Sequence, residues 1–188
     1  MKGHADFAMS CDVKRLNWGC GAGIHEGWIN SDRKSGPGVM ACDIRDGLPL
    51  DNESVDYAVS IHALPELGYD DLVPALRELW RVLKPGGVLR LGLPDLEKGI
   101  EAYRRGDRNY FHVPDSDMQT LGGKLITQLV WYGFTKTIFV REFAHEILRK
   151  AGFREIYQVT FKETVSTYPE IITLDDREEE TFFVEAVK

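Results

Sequence analysis

The chain has 188 residues and a formal net charge of −7. An acidic surplus argues against electrostatic capture of nucleic acid, which needs Lys and Arg in excess on one face. A length near that of one ordinary domain, with 43% hydrophobic and 28% charged residues, fits a single folded core and excludes a disordered chain.

Residues 1–12 read as a tail. VKRLNWG (13–19) reads as a first strand ending in glycine, and GWINSD (27–32), VMACDI (39–44), VDYAVSI (55–61) and GVLRLGLP (87–94) as four more. Before the fifth, Leu72, Ala75, Leu76, Leu79, Trp80 and Leu83 recur at helical spacing, with Asp70 and Asp71 at the start and Lys84 at the end. Pro85-Gly86-Gly87 is expected to stop that helix and turn the chain into the next strand. Residues 95–108 look helical, NYFHVPDSDM is polar and broken by Pro114, and LGGKLITQLVWYGF suits a further helix. VREFAHEILRKAGF is amphipathic, with Phe143, Ile147, Leu148 and Ala151 on one side and Gly152 as its stop. REIYQVTFK and TFFVEAVK read as two late strands, expected to pair as an antiparallel hairpin at the sheet edge across a loop carrying LDDREEE. Strands alternating with helices predict an α/β layered fold with a largely parallel sheet, and with no internal repeat, residues 1–188 are expected to form one domain.

LNWGCGAG places Gly19, Gly21 and Gly23 directly after the first strand, at the carboxyl edge where parallel sheets bind ligands. Asp32 ends the second strand, where a carboxylate can accept from both hydroxyls of a ribose. Asp43, near the end of the third, is placed to meet an adenine edge. A P-loop would need Gly-Lys-Ser/Thr, which does not follow these glycines. A dinucleotide site would want G-x-G-x-x-G with its acid about 20 residues on. Here the spacing is G-x-G-x-G and the acid comes early, with little room for a first helix, so a nucleoside without phosphates suits the site better.

Together these residues resemble the class I S-adenosylmethionine-dependent methyltransferases. LNWGCGAG is similar to their first motif, Asp32 to their ribose-binding acid and CDI to their adenine-side motif, while LRELWRVLKPGGVLRLGLPD resembles their helix, turn and fifth strand. The likeness runs over residues 13–95 and returns at EILRKAGF. GWINSD, LRLGLPDLEKGI and LDDREEETFFVEAVK resemble a small bacterial branch of largely unassigned substrate. The resemblance implies a Rossmann-like, doubly wound, seven-stranded and mostly parallel sheet with an antiparallel last strand. It implies an enzyme that transfers methyl from S-adenosylmethionine to a small molecule or a cell-surface precursor.

Residue by residue, it implies Asn17, Gly19, Cys20, Gly21 and Gly23 around the methionine part, Asp32 at the ribose, and Asp43 with Ile44 at the adenine. Ser60 and His62 are implied to face the methyl group and the acceptor, with His62 the candidate base. Two departures stand out: the segment between the glycine loop and Asp32 is short, and HALPEL replaces HVLEHL, putting Pro65-Glu66 where the branch carries Glu-His. That loss keeps a non-catalytic S-adenosylmethionine-binding module open as an alternative, with an NAD-dependent oxidoreductase behind it.

Residues 95–140 are expected to govern the acceptor, as a lid or cap with Tyr103, Tyr110, Phe111, Trp131 and Tyr132 as an aromatic wall, or as a connecting helix pair with aromatic packing. Trp18 and Trp28 suit either the adenosine site or core filling. Arg104, Arg105 and Arg108 suit a basic patch or a solvated helix face. Cys11, Cys20 and Cys42 show no zinc or disulfide spacing, no metal is implied, and the N-terminal stretch has no apolar signal core. With no window near the ~18 apolar residues of a membrane span, a cytoplasmic enzyme without a membrane partner is expected.

Overall fold

A computed structural model describes residues 13–188, so the expected tail at residues 1–12, with Cys11, lies outside the described residues. Seven strands run Arg15–Trp18 (β1), Ile29–Asp32 (β2), Val39–Ala41 (β3), Val55–Ile61 (β4), Leu83–Pro94 (β5), Glu155–Val159 (β6) and Thr181–Val187 (β7). They form one sheet in the order β3-β2-β1-β4-β5-β7-β6. The first five pair in parallel, and β7 is antiparallel to both β5 and β6. The late strands do pair with each other, but β7 is not at the edge: it inserts between β5 and β6. Strand order reverses between β1 and β4, which opens a crevice beyond their carboxyl ends.

Helix α1 (Tyr69–Val82) buries Leu72, Ala75, Leu76, Leu79 and Val82, and α4 (Arg141–Ala151) buries Ala144, Ile147, Leu148 and Ala151, on the same face of the sheet. Gly152 closes α4 at φ 119°. Helices α2 (Leu96–Arg105) and α3 (Leu121–Val130) pack on each other beyond β5, with Asp95 capping α2 and Thr120 capping α3 through side-chain acceptors. The expected stop of α1 is two residues late. Leu83 pairs with Val55, so the chain is already in the sheet before Pro85; the register then shifts and resumes at Tyr57 opposite Val88.

The second face is covered by the segment from Thr160 to Glu180, whose Ile171 and Leu174 pack with Tyr57, Val59 and Val88. Trp28 stacks edge-on against Tyr57 in this layer and fills core. Arg90 in β5, fully buried, ties the segment down. Its guanidinium donates to Asp175 at 2.5 and 2.7 Å, to Glu185 at 2.6 Å, and to the carbonyls of Thr160 and Glu163. A charge that deep is tolerated only because every donor direction is met. Arg105 and Arg108 pair with Glu101, Asp107 and Asp115 on the surface, as a solvated face does. No helix among the described residues is long and apolar enough to cross a membrane.

Candidate functional site

The crevice beyond β1 and β4 widens into a cleft of about 440 Å³. Its first wall is the glycine loop. Gly19 has φ +70° and its missing Cβ would sit 2.2 Å from the Cβ of Ala63, so this position admits glycine alone. No helix forms between β1 and β2. The Asn17 amide instead donates to the Gly23 carbonyl at 2.8 Å and to Asn30 Oδ1 at 3.0 Å. Asn30 in turn accepts from His25 N–H and donates to the carbonyls of His25 and Trp28. A buried asparagine pair thus does the work of the absent helix. Asn17 lines the cleft as a scaffold of the loop; Asn30 escaped the sequence reading, although it sits in the quoted GWINSD.

The backbone N–H groups of Gly19, Cys20, Gly21 and Gly23 are spent inside the protein. Gly19 and Cys20 N–H donate to the Ser31 carbonyl, and Gly23 N–H to that of Cys20. Gly21 N–H donates to Asp32 Oδ2 at 3.0 Å, and Lys34 N–H to Oδ1 at 2.9 Å. Asp32 lines the cleft with both oxygens fixed by one backbone bond each and lone pairs to spare. Asp43 lines it too, beside Ile44, and its carboxylate is held down to about 2 by the Arg45 guanidinium at 2.5 and 2.9 Å and the Arg45 N–H. Cys20, Cys42 and buried Trp18 complete this end; burial pushes both thiols up, away from reactive thiolate.

Ser60 stands corrected. It is 1% exposed, it points to the α1 and α4 side rather than into the cleft, and its Oγ has no partner among the described residues. The reason is strand alternation: Val59 and Ile61 take the opposite face.

His62 lines the cleft just past β4, at φ +58°. Its N–H donates to the Gly92 carbonyl at 2.9 Å, and its Nε2 lies 2.8 Å from Thr181 Oγ1. Arg177 Nη1 lies 3.2 Å from Nδ1. A guanidinium only donates, so Nδ1 accepts and Nε2–H donates to Thr181. Burial first, and Arg177 second, depress the imidazole to about 3. The candidate base of the sequence reading is therefore a neutral ring whose one lone pair is taken: it positions Arg177 and is not poised to remove a proton.

The far end of the cleft is walled by Tyr110, Phe111, Leu125, Gln128, Trp131 and Phe134, with Glu180 and Arg177 from the loop before β7. Two expected aromatics are absent from it: Tyr103 is 45% exposed near Gly122, and Tyr132 donates its hydroxyl to Asp117 on the surface. The cap is pinned at its polar stretch by buried Lys124, which reaches Asp115 at 2.9 Å and the Val113 carbonyl. Pro65 anchors it at the other side, its carbonyl accepting from Lys136 and Thr137 N–H. Glu66 lines the cleft and pairs with Arg33.

Residues 24–91, from just after the glycine loop into β5, match the family model described as a methyltransferase domain. No curated protein matches the chain in sequence. Among solved structures, it resembles a SAM-dependent methyltransferase of Archaeoglobus fulgidus (TM-score 0.62, 16% identity, covering 94% of this chain and 86% of that one). One of Mesorhizobium loti gives a TM-score of 0.57 at 19% identity, covering 94% and 91%. One of Thermotoga maritima gives 0.57 at 22% identity, covering 93% and 82%. At these identities the likeness is one of fold, and it matches the Rossmann-like architecture expected from the sequence.

Proposed function

We propose that this chain, whose residues 24–91 match a methyltransferase-domain model and whose fold resembles that of S-adenosylmethionine-dependent methyltransferases, binds that cofactor in its cleft between β1 and β4 and passes the methyl group to a small-molecule acceptor under the cap. The observation that carries this reading is Asp32, a carboxylate fixed by Gly21 and Lys34 N–H at the end of the second strand, with lone pairs left over on both oxygens for the hydroxyls of a ribose. Asp43 and Ile44 border the adenine, and the loop from Gly19 to Gly23, with Asn17 and Cys20, approaches the methionine part. The aromatic walls Tyr110, Phe111, Trp131 and Phe134 in the same cleft suit a small acceptor with an apolar body.

Methyl transfer from a sulfonium needs no further activation of the leaving group, because sulfur already carries the positive charge. The acceptor's lone pair forms the new bond to carbon as the carbon–sulfur pair returns to sulfur, leaving a neutral thioether. Holding the two in line and dry is the enzyme's main contribution, and proximity alone supplies about 7 to 11 kcal/mol. At the Glu-His departure, Pro65 anchors the cap and Glu66 is a wall of the cleft.

Calorimetric titration with S-adenosylmethionine, S-adenosylhomocysteine and NAD tests the reading. Binding of the two sulfur nucleosides alone is expected. Binding of NAD, or of none of the three, refutes it.

A further inference from the structure

Glu180 is a carboxylate with too little to do. Its side chain is 14% exposed, yet its nearest partners are all distant: Gln128 Nε2 at 3.4 Å, His112 Nε2 at 3.8 Å and Arg177 Nη1 at 3.9 Å. A mostly buried carboxylate normally collects short charge-assisted bonds of 2.7–2.9 Å. Its backbone is rigidly placed, since its carbonyl accepts from Asp95 N–H at 2.8 Å and its own N–H donates to the Arg177 carbonyl. Glu180 lines the main cleft and also a second cavity that opens beside it, shared with His112, Trp131 and Arg177. Trp131 borders both cavities as well, its indole held out by a left-handed backbone at φ 39°. Tyr110 stands in the same wall. Burial, together with Asp95, Glu180 and Glu179, pushes its phenol well above the ordinary tyrosine range, so it stays a neutral donor.

An indole face, a neutral phenol and a mostly buried, weakly paired carboxylate form the recognition chemistry of an organic cation carrying N–H donors. Arg177 does not reverse this. His62 holds it on one side, and it reaches Glu180 only at 3.9 Å.

Resting on the methyl-transfer reading above, we propose that Glu180 is the acceptor-recognition residue of the cleft and that the acceptor is an amine attached to an apolar or aromatic body. The chemistry is consistent with this charge. A neutral amine attacks the methyl carbon, the carbon–sulfur pair returns to sulfur, and the positive charge moves from sulfur to nitrogen. On this assignment the Glu180 carboxylate faces the nitrogen on which that charge appears and stabilises the transition state more than the ground state. The acceptor, an ammonium ion in solution, gives up one proton to solvent before it attacks, and the product leaves as the N-methylammonium ion, so charge and protons balance.

The test uses the whole chain saturated with S-adenosylhomocysteine and three probes of one shape: phenethylamine, 2-phenylethanol and phenylacetate. Phenethylamine is expected to bind at least tenfold tighter than the alcohol, with the carboxylate weakest. Glu180→Gln is expected to erase the tenfold preference and Glu180→Asp to keep part of it, both with unchanged affinity for S-adenosylhomocysteine. Equal binding of amine and alcohol, a preference for the acid, no amine binding at all, or a preference that survives Glu180→Gln overturns the assignment. Failure of S-adenosylhomocysteine to bind in the first place overturns the cofactor reading instead, so the two are told apart.

Discussion

Replacing Asp32 separates what the carboxylate does for the loop from what it does for a ligand. In the folded protein each oxygen already accepts one backbone N–H, from Gly21 at 3.0 Å and from Lys34 at 2.9 Å. A ribose diol adds two charge-assisted bonds worth about 1.5–3 kcal/mol each. Asp32 is only partly buried, so the lower end applies, and Asp32→Ala should cost about 3 kcal/mol, or about a hundredfold in affinity for S-adenosylhomocysteine. Part of any loss could come from a slackened loop. A cycle with a 2′-deoxyribose analogue of S-adenosylhomocysteine isolates the ligand contribution: the analogue should bind at least tenfold more weakly than the parent to the native chain, and equally with it to Asp32→Ala. Calorimetry gives all four affinities. A variant that keeps its melting temperature and still discriminates the analogue as the native chain does refutes the ribose assignment.

Arg90→Met leaves Asp175 and Glu185 buried without their cation and should lower the urea unfolding free energy by about 3–5 kcal/mol; a loss under about 1 kcal/mol would show that the network does not hold the 160–180 segment. Gly19→Ala meets both a left-handed φ of +70° and the Ala63 Cβ at 2.2 Å, and should abolish cofactor binding, whereas Gly21→Ala at φ +52° meets open space and should cost only about 1–2 kcal/mol of strain. Equal effects at the two sites would contradict the packing. His62 titrates in the folded chain at about 3, below its unfolded value near 6.5. The unfolded chain therefore takes up the proton first, so the stabilisation is whole above pH 6.5 and falls as pH drops toward 3, by up to ~1.4 kcal/mol per unit. His62→Asn, which tolerates the left-handed backbone at φ +58°, should flatten this acid limb, and parallel stability curves for the two proteins from pH 7 to 5 would refute a buried neutral imidazole.

What the sequence disclosed was local. The glycines after β1, the acids after β2 and β3, and the amphipathic faces of α1 and α4 are short-range patterns, and each lies where it was expected. Boundaries set by pairing were less legible: α1 stops at Val82 because Leu83 has a partner in Val55, not because Pro85 follows. The long-range polar residues were not legible at all. Asn30 joins Asn17 across 13 positions, and Arg90 joins Asp175 and Glu185 across 85 and 95. In sequence, Arg90 is one cation in a strand-like run and Glu180 one acid among five. Ser60 misses the cleft, and His62 reaches it with its ring nitrogens already engaged, for a related reason. A residue's place at a strand end says which edge it occupies, while its side-chain direction depends on the register, and its ionisation on neighbours that arrive from the far end of the chain.

The glycine loop also bears on the choice between cofactors. A site for a pyrophosphate presents several N–H groups outward, usually at a helix N-terminus. Here there is no helix between β1 and β2, and the N–H groups of Gly19, Cys20, Gly21 and Gly23 all end on protein oxygens. One of those oxygens belongs to Asp32, so the loop brings a negative charge to the place where a dinucleotide would set its phosphates. A ligand that meets this surface gains from hydroxyl donors and from close backbone approach, and loses if it is anionic there. A sulfonium nucleoside, with a ribose diol, no phosphate and a positive sulfur, satisfies each of those conditions at once.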